Sequence, residues 1–212
     1  MFYRPQDGHG LPHNPFNAIL VPRPIGWISS LAPDGIVNLA PYSFFNGISY
    51  TPPQVMFSGG ARPAKKGGPE IKKDSVANIE ATGEFVCNLA TWDLREAMNK
   101  TAVDGPPDHD EFAYAGLTQA PAELVKPPRV AESLIHLECR YLQSVILKSI
   151  EGYGPNILVI GEVIGIHIDE SVLTEGLIDN SKLKPIGRLG YMDYVCVDEV
   201  FTMFRPKWPQ DA

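Results

Sequence analysis

The sequence predicts a mainly β fold: an antiparallel β-barrel, closed or split, to which two or three short helices are added. Twenty prolines and nineteen glycines among the 212 residues indicate many turns. Roughly six or seven segments have the apolar or alternating pattern of strands. Because regular helices do not separate these segments, the pattern argues against a doubly wound parallel sheet.

The first elements form a predicted hairpin. A strand over about residues 18–31 leads into Pro33-Asp34-Gly35, a typical turn sequence, and the returning strand runs from Ile36 into "SFFNGISY". Within that returning segment, Asn46-Gly47 predicts either a second tight turn or a bulge. A third strand, "QVMFSGG", is predicted over residues 54–60.

Short helices are predicted after the third strand. "DSVANIEATG" begins at Asp74 or Ser75, whose side chains are typical N-caps, and ends at Gly83. "DLREAMNK" has Asp93 and Glu96 at the spacing of a capping box. "DHDEFAYAGL" has the same acidic start and ends at a glycine, which completes the set of added helices.

The remaining strands lie between and after these helices. "FVCNLA" follows the first helix, and "IHLECRY" alternates between an apolar side and a polar side. "ILVIGEVIGIHI" is apolar at nearly every position, so burial on both faces is expected. Its Gly161 and Gly165 share one face, where backbone or a ligand can approach closely. "DYVCVDEVFTMF" predicts the last strand.

Composition and charge exclude several classes of protein. Apolar residues make up 44% and charged residues 20%, which is ordinary for a globular chain. The net charge of −7 argues against a general nucleic-acid binder and against a peripheral membrane protein. The start has no apolar run of signal-peptide length, and the longest apolar run is too short to span a bilayer and carries Glu162. Together with three cysteines in apolar runs, expected to be reduced core thiols, this predicts a cytoplasmic protein.

Several motifs with strong chemical meaning are absent from the sequence. There is no Gly-x-Gly-x-x-Gly turn, no phosphate loop ending in Gly-Lys-Ser/Thr and no Gly-x-Ser-x-Gly. His9 and His13 are separated by Gly10 and Pro12, so no helix can bring them onto one face as metal ligands. No Ser/His/Asp or Cys/His set stands out either, so no catalytic and no metal-binding residues are predicted.

Two features instead indicate a polar, phosphorylated ligand. The hairpin "GWISSLAPDGIVNLAPYSFFN" carries small hydroxyl and amide side chains on both arms, which either face water or hold such a ligand. Five of the eighteen basic residues lie between 62 and 73. They form either a solvated loop or, where Lys73 and Ser75 meet the helix start at Asp74, a phosphate site. A helix N-terminus, a hydroxyl and an ammonium group together favour an anion.

At this point the sequence resembles a known family. "RPIGWISSLAPDGIVNLAPYSFFNGISYTPPQVMFS" followed by "KKDSVANIEATGEFVCNLAT" is similar to the flavin reductase-like family of FMN-binding split barrels. "FAYAGL", "KPPRVAESLIHLECR", "LVIGEVIGIHID" and "RLGYMDY" continue the similarity in order. The resemblance implies a split barrel over residues 18–204, preceded by an N-terminal arm, 1–17, and followed by a tail, 205–212.

The resemblance also implies residues that bind FMN. On the strand that lines the flavin they are Trp27, Ser29 and Ser30. On its partner strand they are Asn38, Ala40, Pro41, Tyr42 and Ser43. At the phosphate end they are Lys73, Asp74, Ser75 and Asn78, and near the C-terminus they are Arg188 and Tyr191. Which lysine in 65–73 meets the phosphate stays open.

The implied activity is that of a flavoprotein oxidoreductase, an NAD(P)H-dependent flavin reductase with FMN as cofactor and NADH or NADPH as electron donor. A homodimer with FMN near the subunit interface is implied as well. Two alternatives stay open: a tightly bound FMN electron-transfer protein without its own nicotinamide site, and the reductase component of a two-component monooxygenase. The partner would then be an electron acceptor or an oxygenase.

Overall fold

The computed structural model describes residues 1–60, 72–106, 108–150, 154–206 and 208. The helices within these ranges are α1 Phe16–Ile19, α2 Asp74–Thr82, α3 Arg95–Lys100, α4 Glu111–Ala115 and α5 Asn180–Leu183. The strands are β1 Arg23–Pro24, β2 Gly26–Leu31, β3 Val37–Tyr42, β4 Phe45–Tyr50, β5 Pro53–Gly60, β6 Glu84–Leu89, β7 Gln119–Ala120, β8 Arg129–Val130, β9 Ile135–Ile146, β10 Asn156–Ile168, β11 Leu173–Thr174, β12 Leu177–Ile178, β13 Ile186–Arg188 and β14 Tyr194–Cys196.

One antiparallel sheet of seven strands dominates the fold, in the order β3-β2-β6-β9-β10-β5-β4. Its two outer strands, β3 and β4, follow each other in the chain and are joined by Ser43 and Phe44 alone. A sheet whose outer strands are joined by two residues must curl until those strands come together. The predicted mainly β, antiparallel barrel is therefore confirmed.

Helix α2 contributes to the core inside the barrel. Its Val76 and Ile79 are buried there beside the rings of Phe57 and Phe85. These two rings meet edge to face with their centroids 5.9 Å apart. The inner core also contains Ile28, Val55, Cys87, Cys139, Ile157, Val159 and Val163.

A second core lies on the other side of strand β2, which is buried on both faces. Trp27 belongs to this outer core and is fully buried, and its Nε1 donates a hydrogen bond to Thr101 Oγ1 at 2.8 Å. Helices α3 and α4 contribute Met98 and Phe112 to the same cluster. The wall formed by β2 and β3 is therefore held between two apolar layers, which fixes its position.

The first predicted strand, over about residues 18–31, is wrong in its first half. The chain forms α1 there, started by Asn14 Oδ1, which accepts a hydrogen bond from Phe16 N at 2.9 Å. Strand β1 has two residues, and β2 begins at Gly26. Pro22 and Pro24 lack the N–H that a continuous ladder needs, which explains the interruption.

The returning arm of the hairpin is two strands and not one. The Pro33-Asp34-Gly35 turn is confirmed, since Gly35 N donates to Ala32 O at 2.9 Å. The chain then leaves the first sheet edge after β3 and begins β4 at the opposite edge. Asn46-Gly47 forms a bulge, the second of the two predicted options, with a register shift against β5 between Gly47 and Ser49.

Two predicted helix caps are wrong. The N-cap position of α2 is Lys73, and neither Asp74 nor Ser75 caps the helix, although Gly83 ends it in the left-handed conformation as predicted. Helix α3 begins at Arg95 behind a turn in which Arg95 N donates to Trp92 O, so the expected capping box does not form. Helix α4 is capped by Asp110, whose carboxylate accepts from Ala113 N at 3.0 Å.

Two of the polar side chains of β9, His136 and Glu138, are buried, whereas Arg140 is exposed. Glu138 is fully buried and accepts hydrogen bonds from Glu123 N at 2.8 Å and Leu124 N at 2.6 Å, and from the imidazole of His167. These bonds hold the pKa of Glu138 below its usual range against the opposing effect of burial. Alternation therefore marks the two faces of this strand correctly, but the segment between β7 and β8 covers the polar face at Glu138.

The two remaining strands differ from expectation in extent. Strand β10 alternates between buried and partly exposed positions up to Val163. The prediction that this strand is buried on both faces is therefore wrong. The predicted strand "DYVCVDEVFTMF" is reduced to β14, which pairs with β13. After β14 the chain leaves the sheet, and Phe201 and Phe204 are exposed. No helix among the described residues is long and apolar enough to span a membrane.

The three cysteines are free thiols. Cys87 and Cys139 lie in the inner core, as predicted, whereas Cys196 is only partly buried. Burial raises the pKa of the Cys139 thiol well above its ordinary value. A thiol with a raised pKa in an apolar core is poorly reactive, so Cys139 has a packing role.

Gly161 provides a direct test of packing in the inner core. A Cβ at this position would lie 2.4 Å from Phe85 Cζ and 3.3 Å from Arg140 O, which confirms a close approach, here by a core ring. We expect Gly161→Ala to lower the free energy of unfolding by about 1–3 kcal/mol through overpacking. Urea denaturation measures this change.

Gly47→Ala is the matched control, because its Cβ would meet no atom closer than Gln54 O at 4.0 Å. It should change the free energy of unfolding by less than about 1 kcal/mol. Equal effects of the two substitutions would show that the Phe85 ring does not limit the space at Gly161.

Candidate functional site

Three adjoining cavities form a groove along the outer strand β3, named here the β3 groove. The first, the helix end, measures about 110 Å³ and lies between β3, the start of α2 and residues 101–104. A middle cavity of about 110 Å³ shares Pro41 and Ala102 with it. The third cavity, the arginine end, measures about 370 Å³ and shares Met98, Arg188 and Tyr194 with the middle one. The shared residues show that the three cavities are neighbours along β3.

Most of the predicted binding residues line this groove. At the helix end these are Asn38, Ala40, Pro41, Tyr42, Lys73, Asp74 and Ser75, and in the middle cavity Pro41, Ser43 and Arg188. These positions are far apart in sequence and come together because β3 is the free edge of the sheet and α2 begins beside it.

Other predicted residues are not on the groove surface. Trp27, Ser29 and Ser30 are fully buried in the wall behind it. Asn78 lines a neighbouring cavity together with Asp34 and Ile36, and its side chain also reaches the wall.

Tyr191 and the candidate lysines need separate mention. Tyr191 is half exposed, lies against the His13 ring and accepts a hydrogen bond from Arg188 through its carbonyl oxygen. It is not among the described residues that line the three cavities. Lys65 and Lys66 lie outside the described residues.

Buried polar side chains of the hairpin hold the start of α2 against the groove. Asn38 Nδ2 donates a hydrogen bond to Ser75 Oγ at 2.8 Å, and Asn78 Nδ2 donates to Ser30 Oγ at 3.3 Å. All four residues are buried, so each bond also satisfies groups that burial would otherwise leave unpaired. The N-cap residue Lys73 has no acceptor on its side chain, so it leaves the first-turn amides without a side-chain cap.

The Ser29 side chain forms hydrogen bonds on the outer side of the same wall. Its hydroxyl donates to Pro128 O at 2.5 Å and accepts from Asn88 Nδ2 at 3.2 Å. Asn88 Oδ1 in turn accepts from Val130 N at 2.8 Å. The network fixes the segment around β8 to the barrel, and no sequence pattern indicates the part played by Asn88.

The helix end is rich in carboxylates, two of which the sequence reasoning missed. Lys73 Nζ forms an ion pair with Asp104 Oδ1 at 3.1 Å, and Asp74 and Glu111 line the same cavity. Glu111 is buried and accepts a hydrogen bond from Leu39 N at 3.1 Å. Burial is the main cause that raises the pKa of Glu111, and the nearby charge of Asp74 raises it further.

Glu111 could not be recognised from the sequence, where an acid in the first turn of a helix indicates only a favourable position in the helix dipole. Its burial follows from the packing of α4 against β3, which no local pattern reports. Asp104 and Thr101 belong to the segment that follows α3. They also reach the groove through tertiary packing, which no local sequence pattern reports.

The arginine end has the opposite charge and two guanidinium–aromatic pairs. Arg188 lies over the ring of Tyr194, 4.6 Å from its centroid, and donates to the Tyr194 hydroxyl at 2.5 Å. Arg95 lies over the ring of Trp92 at 4.0 Å and pairs with Glu96 at 3.7 Å. These contacts hold both guanidinium groups in fixed planes.

Arg23 lies on β1, the strand that pairs with β13, and it supports the arginine end from there. The two arginines are register partners in the β1–β13 pair. Arg23 donates to the carbonyl oxygens of Leu20 at 2.7 Å and Leu189 at 2.9 Å, which ties the N-terminal segment to the end of β13. Burial, followed by the charge of Arg188, lowers the pKa of the Arg23 guanidinium.

The arrangement suits an elongated ligand with polar and apolar parts. Along the described chain, no group of three or more His, Cys, Asp or Glu side chains is placed to hold a metal ion. The groove instead offers a helix N-terminus, an ammonium group and hydroxyls at one end, and apolar surface with two guanidinium groups at the other. Such a surface binds and orients molecules by charge and shape.

Comparison with known proteins assigns the chain to a family. The sequence profile of the family described as flavin reductase like domain matches residues 18–187. An uncharacterized protein of Aquifex aeolicus is 38% identical over 178 residues, which cover 84% of this chain and 85% of that protein. The Bacillus subtilis protein YwrF, also uncharacterized, is 31% identical over 189 residues, covering 88% of this chain and 89% of its own.

Solved structures give the same result. Nitrilotriacetate monooxygenase component B from Bacillus cereus superposes with a TM-score of 0.81 at 29% identity, covering 92% of this chain and all of that one, 100%. A putative flavin reductase with a split barrel domain from Shewanella frigidimarina has a TM-score of 0.76 at 21% identity, covering 90% and 89%, and shows the fold. The chain is therefore a member of the flavin reductase-like family and has its split-barrel fold.

Proposed function

We propose that the protein is an FMN-binding oxidoreductase that transfers hydride from NADH or NADPH to FMN. The observation that carries the proposal is the β3 groove, because its neighbouring cavities gather most of the residues that the family resemblance implies for FMN. FMN supplies the redox chemistry when it is bound, and the protein supplies binding, orientation and electrostatics.

The two ends of FMN match different parts of the groove. Its phosphate fits the helix end, where the start of α2, the Ser75 hydroxyl and the Lys73 ammonium group lie together. We place its ring at the middle cavity, whose apolar surface comes from Ile25, Pro41 and Met98. At about 110 Å³ this cavity holds only part of the ring, so the ring would extend beyond it toward the arginine end. In this proposal the fully buried Trp27, Ser29 and Ser30 support the groove wall and do not contact the cofactor directly.

Hydrogen-bond donors in the middle cavity suit the charge that develops on a reduced flavin ring. The polar side chains that line it are Ser43, Arg188 and Tyr194. Donors that are held in place before reaction stabilise developing negative charge without reorganisation. Arg188 is held in this way by Tyr194 and by the carbonyl oxygen of Tyr191.

A second function is favoured by one comparison. At 29% identity, the Bacillus cereus protein is named as a monooxygenase component, which supports a role for this chain in supplying reduced FMN to a partner oxygenase. That role requires FMN to leave the protein. A dissociation constant in the micromolar range would support release, and retention in the nanomolar range would favour a protein that keeps FMN and passes electrons on.

We propose a homodimer as the working form. Support comes from the C-terminal segment after β14, where Phe201, Met203 and Phe204 are each more than 80% exposed, at 84%, 81% and 92%. Large apolar side chains grouped in this way mark an interaction surface. Sedimentation velocity of the full chain measures the oligomeric state. A monomer at micromolar concentration would contradict the proposed homodimer.

The central test is flavin binding and turnover. The purified protein should bind FMN with its two visible absorption bands and should oxidise NADH or NADPH when FMN is present. Stopped-flow mixing of the FMN-bound protein with NADH or NADPH should bleach the flavin at a rate at least equal to turnover. A protein that binds no FMN and oxidises neither nucleotide would contradict the proposal.

Lys73 tests the position of the phosphate. We expect Lys73→Ala to weaken FMN binding by about 1–3 kcal/mol, the range of a charge-assisted hydrogen bond. The adjacent Lys72 pairs with Glu80 and provides the matched control, because Lys72→Ala removes the same charge from a residue that does not line the groove. Fluorescence titration measures both affinities, and equal effects would place the phosphate elsewhere.

Glu111 tests the electrostatics of the helix end. Its pKa is already raised, and a phosphate nearby would raise it further, so FMN binding takes up a proton. The affinity should therefore be highest below the pKa of Glu111 in the free protein and fall as the pH rises through it. Glu111→Gln keeps an acceptor for Leu39 N, and should tighten FMN binding by about 1 kcal/mol above that pKa.

Riboflavin is the control ligand, since it has the ring and the ribityl chain but no phosphate. Its affinity should respond much less to Glu111→Gln and to pH. The second ionisation of the FMN phosphate contributes to the pH profile of both proteins, so the difference between them isolates Glu111. Identical FMN profiles for both proteins would remove Glu111 from the phosphate site.

A further inference from the structure

The Asn46-Gly47 bulge on β4 has chemical features that the proposed flavin chemistry does not use. It is the only Asn-Gly pair in the sequence. Both residues are exposed, and β4 is an end strand in the order of the sheet. A Cβ at Gly47 would meet no atom closer than Gln54 O at 4.0 Å, so the space beside this backbone is open. The peptide bond between the two residues is therefore accessible to solvent.

The Gly47 amide is not used by the ladder between β4 and β5. Ser58 N donates to Phe44 O at 2.8 Å, and hydrogen-bonded and non-hydrogen-bonded pairs alternate along an antiparallel ladder. Because Phe44 and Ser58 form a hydrogen-bonded pair, Gly47, three residues further along the chain, belongs to a non-hydrogen-bonded pair. The N–H of Gly47 therefore points away from β5.

The Asn46 side chain lies against this amide. Gly47 N donates a hydrogen bond to Asn46 Oδ1 at 2.9 Å. Because a C=O bond is about 1.23 Å long, Asn46 Cγ lies within about 4.1 Å of the Gly47 nitrogen. Glycine also has the backbone freedom to close the remaining distance. A nucleophile and the carbonyl carbon that it can attack are thus held side by side.

We infer that Asn46 is a site of spontaneous deamidation through a succinimide. The Gly47 nitrogen, after it has lost its proton to the solvent, attacks Asn46 Cγ and forms a new C–N bond. The bond from Cγ to Nδ2 breaks, and this nitrogen leaves as ammonia. Water then opens the ring, and its addition at Cγ yields aspartate, whereas its addition at the main-chain carbonyl yields isoaspartate. No oxidant, reductant or cofactor takes part, so the site is independent of the proposed function.

The isoaspartyl product changes a strand that closes the barrel. Its main chain runs through Cβ and Cγ, which lengthens the backbone between Phe45 and Gly47 by one atom. The Phe45 ring packs on the inner core and occupies the space beside Gly26, where a Cβ would lie 2.5 Å from Phe45 Cδ2. A longer backbone next to this ring should lower the stability of the barrel. The aspartyl product keeps the original backbone.

Incubation of the full chain in mildly alkaline buffer tests the site, with peptide mapping by mass spectrometry as the readout. The peptide that contains Asn46 should gain the mass difference between an amide and an acid. Enzymatic methylation of the same peptide measures its isoaspartate. Asn156 is the internal control, because it is also an exposed strand residue, but the branched Ile157 follows it and hinders attack.

Two variants separate this mechanism from other losses of the amide. Gly47→Ala should slow the conversion of Asn46 roughly tenfold, because a Cβ beside the attacking nitrogen restricts its backbone. Asn46→Gln keeps an amide but would have to close a larger ring, so it should show no conversion in the same period. Urea denaturation shows that both variants are folded at the start of the incubation.

Three results would overturn the inference. The first is conversion of Asn46 no faster than that of Asn156. The second is an equal rate in the Gly47→Ala variant. The third is conversion only after unfolding in urea, since the folded strand would then block the attack.

Thermal denaturation tests the consequence for the barrel. Aged protein enriched in isoaspartate should melt at a lower temperature than the freshly purified protein. It should also melt below Asn46→Asp, which has the same charge on an unchanged backbone. Equal melting temperatures of the isoaspartyl form and Asn46→Asp would contradict the effect on barrel closure.

Discussion

The hydrogen bond between Asn38 and Ser75 is the interaction on which the candidate site depends most. It joins the outer strand of the barrel to the first turn of α2, and the second bond, from Asn78 to Ser30, prevents the helix from turning about the first. The same helix contributes Val76 and Ile79 to the inner core. Packing of the barrel and orientation of the helix end are therefore set by one element.

The sequence predicted what depends on local pattern and missed what depends on packing. The Pro33-Asp34-Gly35 turn, the end of α2 at Gly83 and the bulge option at Asn46-Gly47 all follow from backbone preferences of single residues. The break at Ser43 and Phe44 could not be seen, since it depends on closure of the whole sheet. Glu111 was missed because a carboxylate is buried there only once α4 packs on β3. Family resemblance supplied the groove residues of β3 and of the start of α2 but could not show that Ser29 is used inside the wall.

Strand β3 has a further consequence as a free sheet edge. Exposed edges invite pairing with strands of other chains, which leads to aggregation. Here the outward amide of Leu39 is occupied by the Glu111 carboxylate, and Pro41, two residues on, has no amide hydrogen to offer. At these two positions the edge therefore offers no amide hydrogen to another strand. The barrel can in this way keep a groove beside β3 and still be protected from adding a neighbour's backbone to its own sheet.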